Sequence, residues 1–347
     1  MRPMADLRTD RVLVIAEAGV NHDGNIEQAL QLIDVAADAG ADLVKFQTFD
    51  ADLLATANAA LADYQEKASG SDDLPAETGQ LAMLKKLQLS EDDHRKLMAH
   101  CEARGIEFFS TAFDLHSLDF LAQCGATRFK VPSGEITNLP YLRQIASFQK
   151  EVIMSTGMAS LDEIGEAIRC LEAAGLPKDS ITLLHCTTEY PAPIDEVNLR
   201  AMCAMGKAFG VAVGYSDHTD GIDVAIAAVA LGASVIEKHF TLDKNLPGPD
   251  HRASLEPEEL KAMVAGIRRI EQALGSEEKK CTRSERKNIA LVRKSIVAAR
   301  VIEKNEVLSE DNLTVKRPAT GLSPMLWDGV IGTRAARSFL PDEAIEL

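Results

Sequence analysis

Residues 211–240 read VAVGYSDHTDGIDVAIAAVALGASVIEKHF. A β-rich piece, Val211–Ser216, leads into a helical one, Asp223–Leu231, and then into a second β-rich piece, Val235–His239. The apolar stretch Val224–Ile236 contains Gly232 and divides better into a helix and a strand than it serves as one long span. Both strands run out into reactive side chains: Ser216, Asp217 and His218 after the first, Glu237 and His239 at the end of the second. One β–α unit thus delivers two imidazoles to the same end of a sheet.

Working outward, the same alternation recurs from residue 11 to about residue 275. Strands are expected at Val12–Ala18, Leu43–Thr48, Glu107–Thr111, Arg128–Val131, Glu151–Ser155 and Ile181–His185. Helical periodicity falls between them at Ile26–Ala39, Glu91–Arg104, Leu115–Cys124, Leu139–Ser147, Leu161–Ala174 and Leu199–Phe209, and Pro257–Leu274 closes the series. Ser160 with Glu163 has capping-box spacing, and Ser90 precedes an acidic first turn. Gly40, Gly105 and Gly175 stand where helices want a left-handed cap. Eight β–α units over this length predict an α/β fold, a (β/α)8 TIM barrel spanning residues 1–275. A doubly wound open sheet is the alternative, but no Gly-rich fingerprint follows the first strand. Strands two and three end 63 residues apart, leaving a long insertion, about Phe49 to Leu89, on the face where barrel enzymes keep their sites. A charged linker is expected over residues 276–287. Residues 288–347 read as a small β-rich domain, with strand-like pieces Ser295–Ala299, Leu313–Lys316 and Ala335–Phe339 set apart by Pro318, Pro324 and Pro341. Sixty residues make a marginal core that gains from docking on something larger.

The 347 residues are 46% hydrophobic and 26% charged, with a net charge of −16, which excludes the basic face that nucleic-acid binding needs and disfavours anionic membranes. A small anionic substrate is still compatible, since a few Lys and Arg in one cleft set a local field. Six Cys without a CxxC pair read as reduced thiols of a cytoplasmic protein. Residues 1–10 are polar, so no signal peptide is expected, and no run of 18 apolar residues calls for a membrane span.

Catalytic groups of barrels sit at the C-terminal strand ends. There, His218 and His239 on adjacent strands are candidate ligands of a divalent metal such as Mn2+, Fe2+, Co2+ or Zn2+. Without an obvious third carboxylate, they leave positions open for water and a substrate carbonyl oxygen. His22 is a weaker candidate. Lys45 and Lys130, in the apolar strands LVKFQ and RFKVP, can hold a phosphate or carboxylate together with Thr111, Ser133 and Ser216. Glu17 and Glu135 can orient a polyol or handle a proton. Asp250, in the turn Pro247-Gly248-Pro249-Asp250, either binds hydroxyls or caps the turn.

The segments AEAGVNHDG (16–24), VKFQTF (44–49), FKVPSGE (129–135), STGM (155–158), LHCTTEYPAP (184–193), GYSDHT (214–219), EKHFTLD (237–243) and PGPDH (247–251) resemble the sialic acid synthase family. The tail VKRPATGLSP (315–324) is similar to the antifreeze-protein-like (SAF) domain that follows the barrel there. The resemblance implies condensation of phosphoenolpyruvate with the open-chain aldehyde of an N-acylated mannosamine, giving a nine-carbon 2-keto acid and phosphate. Carried over by motif, it implies that His218 and His239 bind the metal, with Mn2+ expected and Mg2+ or Co2+ as alternatives. Lys45, Thr111, Lys130, Ser133 and Ser216 would hold phosphoenolpyruvate. Glu135 would position or activate the water, and Glu17, Gln47, Tyr190 and Asp250 would hold the sugar and its aldehyde end. Arg317, from the small domain, would reach the acyl group in a domain-swapped homodimer. Thr188 stands where part of the family has an amide. N-acetylmannosamine, giving N-acetylneuraminate, is the favoured sugar. The 2,4-diacetamido-2,4,6-trideoxy analogue, giving N,N'-diacetyllegionaminate, is the alternative. A pyruvate aldolase using Lys130 or Lys45 as a Schiff base is a third reading.

Overall fold

The computed structural model describes residues 11–56, 58–60 and 79–347. The polar N-terminal segment 1–10 and the part of the insertion around Tyr64 and Gln65 lie outside them. The chain divides into two compact units, Met1–Gly275 and Ser276–Leu347.

The first unit holds eight parallel strands: β1 (Leu13–Gly19), β2 (Leu43–Thr48), β3 (Glu107–Ala112), β4 (Arg128–Val131), β5 (Glu151–Ser155), β6 (Ile181–His185), β7 (Ala212–Asp217) and β8 (Val235–His239). Their order, β3-β2-β1-β8-β7-β6-β5-β4, pairs first with last, and only the β3–β4 seam lacks a hydrogen-bonded ladder. This is the expected TIM-type barrel, nearly closed. Helices α1 (Ile26–Ala39), α2 (Ala51–Leu54), α3 (Gln80–Leu87), α4 (Glu91–Arg104), α5 (Leu115–Gln123), α6 (Leu139–Ser147), α7 (Leu161–Ala173), α8 (Arg200–Phe209), α9 (Asp223–Ala230) and α10 (Pro257–Leu274) follow or connect the strands. The local signals act as their chemistry requires. Asn25 and Ser90 accept hydrogen bonds from first-turn amides of α1 and α4. Ser160 and Glu163 form the reciprocal capping box of α7. Gly40 and Gly105 take the left-handed cap conformation.

Period-two alternation sorts each strand into a helix-facing side and a barrel-facing side. Val14, Ala16, Val44 and Ile236 pack with Leu32, Ile33, Leu260 and Met263 of the helices in a buried layer. Leu13, Ile15, Leu43, Phe109, Ile153, Leu184 and Val235 form a separate buried cluster within the barrel. Leucine and β-branched side chains fill that interior, as the fold demands. Arg128, on the first residue of β4, is also buried and pairs with Glu107 at 3.3 Å and Glu151 at 3.6 Å.

The insertion after β2 contributes α2 and α3, which pack through Ala51, Leu84 and Leu87 against Val20 and Phe49. Gly24 permits this approach: its φ is +73°, and a Cβ there would stand 2.1 Å from the Lys86 carbonyl oxygen.

In the second unit, α11 (Arg286–Val292) precedes an antiparallel pair, β9 (Ser295–Ala298) and β10 (Leu313–Lys316), and α12 (Trp327–Val330) follows. The helix begins in the last two residues of the expected linker and runs into the expected small domain, and Thr282 and Glu285 hydrogen-bond in the turn before it. The expected strand Ala335–Phe339 is replaced by isolated bridges, Ile302 with Phe339 and Val307 with Arg334. Ile296, Leu308, Leu313, Val330 and Phe339 form the unit's own buried core. Among the described residues no helix is long and apolar enough to cross a membrane, and all six Cys are free.

Candidate active site

The barrel's inner alternation builds the site. Two residues beyond the buried apolar Ile15, Leu43, Phe109, Ile153, Leu184 and Val235 stand Glu17, Lys45, Thr111, Ser155, Cys186 and Glu237. Lys130 and Ser216 join them, and all eight line one cavity of about 300 Å3 at the C-terminal strand ends. One strand step further out, the same cavity is lined by Gln47, Phe113, Thr188, His218 and His239.

The inner ring is a buried charge network. Lys45 Nζ lies 3.0 Å from Glu17 Oε2, 3.3 Å from Glu237 Oε2 and 3.0 Å from Thr111 Oγ1. Lys130 Nζ reaches Ser155 Oγ at 2.5 Å and Glu237 Oε1 at 3.5 Å. Ser216 Oγ donates to Glu237 Oε1 at 2.9 Å. Burial raises the Glu17 pKa to about 8, despite the opposing pull of Lys45. Burial also works to raise Glu237, but Lys130, Lys45 and the Ser216 hydroxyl outweigh it and hold the group at about 2. Burial lowers Lys130, with Glu237 acting against it. Burial would lower Lys45 too, but Glu17 and Glu237 leave it raised. Glu237 is therefore the carboxylate held ionised between two buried amines.

The outer ring carries the imidazoles, with centroids 5.7 Å apart. Burial drives the His218 pKa down to about 4 and the His239 pKa well below its usual range, so both rings are neutral at pH 7. His218 Nδ1 is 2.6 Å from the Thr187 carbonyl oxygen. A carbonyl only accepts, so Nδ1 carries the proton and Nε2 bears a lone pair. The Ser216 hydroxyl, 3.3 Å from Nε2, spends its one proton on Glu237, which leaves that lone pair free. His239 Nδ1 is buried without a hydrogen-bond partner among the described residues and lies 4.0 Å from Asp250 Oδ2. Burial raises Asp250 to about 6. Behind the pair, Lys238 and Asp217 form a fully buried ion pair at 3.0 Å, and Asp217 Oδ1 accepts from the amide and hydroxyl of Thr219, fixing the loop that carries His218. Tyr190 stacks on His218 at 4.1 Å and meets His239 edge-on at 5.6 Å.

Two neutral imidazoles with free nitrogen lone pairs, His218 oriented by the Thr187 carbonyl, suit a borderline divalent ion. Among the described residues no three His, Cys, Asp or Glu side chains form a complete metal cage. An ion on this pair would draw its remaining ligands from water and substrate, as catalytic sites do.

The NeuB family model matches residues 32–279, and the SAF domain model matches residues 293–346. The chain belongs to the NeuB family. Within it, the chain is similar to an N,N'-diacetyllegionaminic acid synthase of Campylobacter jejuni, 53% identical over 335 residues, covering 96% of this chain and 99% of that protein. It is also similar to an N,N'-diacetyllegionaminic acid synthase of Legionella pneumophila, 47% identical over 323 residues, covering 92% of this chain and 89% of that protein. Among solved structures, the N-acetylneuraminic acid (sialic acid) synthetase of Leptospira borgpetersenii matches with a TM-score of 0.68 and 33% identity, over 80% of this chain and 90% of that chain. The family and the tail domain read from the motifs therefore hold.

In this NeuB-family barrel, Glu17, Lys45, Gln47, Thr111, Lys130, Ser133, Tyr190, Ser216, His218, His239 and Asp250 come together around one cavity. Ser133 is fixed there by the Gly157 amide at 2.9 Å, and a Cβ on Gly157 would crowd its hydroxyl at 2.8 Å. Glu135 is not among the lining residues; its Oε2 accepts from Asn138 Nδ2 at 2.5 Å. Arg317 lies in the second unit, where its Nε donates to the Val292 carbonyl at 2.7 Å. His22 does not line the cavity; its Nδ1 accepts from the Gly24 amide, and its ring packs on Phe46. Glu237 and Ser155 fall within the quoted motifs but were given no role in the site, and the apolar residues of the insertion were not named. Register finds the first: Glu237 pairs with Ser216 across β7–β8 and stands two residues before His239.

Proposed function

We propose that this chain condenses phosphoenolpyruvate with the open-chain aldehyde of 2,4-diacetamido-2,4,6-trideoxymannose, forming N,N'-diacetyllegionaminate and phosphate. The expectation favouring N-acetylmannosamine gives way here, because the relatives at 53% and 47% identity are both N,N'-diacetyllegionaminic acid synthases. For the reaction, the observation that carries the reading is the placement of two buried lysines directly beneath two neutral imidazoles.

Lys45 and Lys130 offer charge to the phosphate and carboxylate, while Thr111, Ser133 and Ser216 add hydroxyl donors from the same cavity wall. A divalent ion on His218 and His239, expected to be Mn2+, supplies a Lewis acid toward the sugar aldehyde. C3 of phosphoenolpyruvate forms the new bond to the aldehyde carbon, whose oxygen becomes a hydroxyl. Water adds at C2, and the C2–O bond to phosphate breaks. Glu17 would do the proton work near the aldehyde; the supporting observation is that a Cβ on Gly19 would stand 3.3 Å from both Glu17 Oε1 and His239 Cε1, so the two side chains converge. Gln47, Tyr190 and Asp250 line the same cavity and would hold sugar hydroxyls and the aldehyde end. The same proposal includes a cytoplasmic homodimer in which Arg317 of one chain serves the sugar bound by the other.

The test offers the protein phosphoenolpyruvate, Mn2+ and each of the two sugars, and identifies products by mass spectrometry together with released phosphate. The expected product is the diacetylated nonulosonate, in EDTA-sensitive yield. Turnover of pyruvate with borohydride-trappable lysine would replace this reading by the Schiff-base aldolase.

A further inference from the structure

The cavity has two unlike sides. One is the charged ring described above. The other is apolar, built by Val20 after β1, Leu54 of α2, Phe113 after β3, and Met83, Leu84 and Leu87 of α3. Residues 80, 83, 84 and 87 of α3 follow helical spacing, so one face of this helix looks into the cavity. The face divides by burial. Leu84 and Leu87 are buried in the cluster that seats the insertion on the barrel, whereas Leu54 and Met83 are half-buried at the cavity edge. Gln80, on the same face, sets a single side-chain amide beside them. Leu54 and Met83 pack against the same cluster, but their burial is incomplete, and both also line the cavity that holds the charged ring.

We propose that this face of the α2–α3 insertion is the specificity wall for the far end of the sugar, receiving the C6 methyl group and the second acetamido methyl, with Gln80 as the amide partner. The inference rests on the function proposed above. N-acetylmannosamine carries hydroxyls at C4 and C6. Set against Leu54 and Met83, those hydroxyls would be desolvated without partners, which is unfavourable. The trideoxy diacetamido sugar puts methyl groups there, which gain by leaving water. A single methyl-sized difference in an apolar pocket discriminates by about tenfold or more. Met83 suits the task, because an unbranched thioether adapts to an irregular acyl group.

The experiment measures kcat/KM for both sugars at saturating phosphoenolpyruvate with wild type, Met83→Gln, Leu54→Asn and Met83→Leu. The expected result is that Met83→Gln and Leu54→Asn each lower the diacetamido-to-monoacetamido ratio about tenfold, with the KM for phosphoenolpyruvate unchanged. Met83→Leu keeps the ratio. If both sugars decline in parallel, the wall is merely structural and the inference falls, while the proposed function stands on the wild-type product. If wild type favours N-acetylmannosamine, the proposed sugar falls, and the wall is judged by whether the polar variants still move the ratio.

Discussion

Replacing Glu237 by Gln keeps the shape and a hydrogen-bond acceptor for Ser216 but removes the charge between Lys45 and Lys130. Lys45 retains Glu17 at 3.0 Å, and Lys130 retains the Ser155 hydroxyl. All four ionisable side chains of the network are at most 6% exposed, so solvent does little to compensate. Breaking a buried pair in this way costs about 3–5 kcal/mol. The preserved Ser216 contact points to the lower end. The Glu237 pKa gives a second route to the magnitude: a shift from 4.5 to about 2 corresponds to roughly 3 kcal/mol. Because the folded pKa is lowered, this stability is present above pH 4.5 and is lost as pH falls from there toward 2. At neutral pH the barrel transition of Glu237→Gln should therefore fall by roughly 6 °C in differential scanning calorimetry, at about 2 °C per kcal/mol for a domain this large. The gap to wild type should narrow below pH 4.5. An anion that takes over the two amines should restore what the carboxylate supplied, so phosphoenolpyruvate should raise the melting temperature of the variant more than that of wild type. A variant melting within a degree of wild type without ligand would refute the assignment of Glu237 as counter-ion to both lysines.

Two further predictions concern the histidines. His218→Ala and His239→Ala should each weaken Mn2+ binding by more than the roughly 10–100-fold typical of an outer-shell partner, with the circular dichroism spectrum retained; titration calorimetry giving wild-type affinity in either would remove that residue from the metal site. Burial, with His94 adding to it, lowers the His22 pKa from 6.5 to about 4, so its contribution is complete above pH 6.5 and lost as pH falls from 6.5 toward 4, by about 3 kcal/mol. Urea unfolding of His22→Asn should accordingly show a shallower loss of stability over that range than wild type, and parallel curves would contradict it.

Regular patterns were readable wherever one physical rule dominated. The ends of β2, β4, β5, β6 and β8, and of α1, α4, α6 and α10, fall where hydropathy period, caps and turn residues agree. β1 and β7 begin a residue later than the apolar run, because Val12 and Val211 are buried or packed without entering the ladder. Side-chain direction was less legible. Ser133 and Glu135 share one motif, yet one points into the cavity and the other is drawn to Asn138, since a tight 3-10 turn separates their directions. Glu237 reads in the chain as one more charge at a strand end. Only the closing of β8 on β1 and β7 brings it between two lysines. The insertion showed length but no role, because which face of a short helix meets a cavity depends on where the loop lands.

That landing has an evolutionary consequence. Lys45, Lys130 and Glu237 are tied to strand register, so none can move without disturbing the barrel. The α2–α3 excursion leaves and rejoins the barrel between two adjacent strands, and among its described residues no ladder constrains its composition. Donor segments from other members of the fold grafted between β2 and α4 should therefore leave Lys45, Lys130 and Glu237 in place, and under the proposed function they would make this the natural cassette for retargeting the protein to new aldehydes.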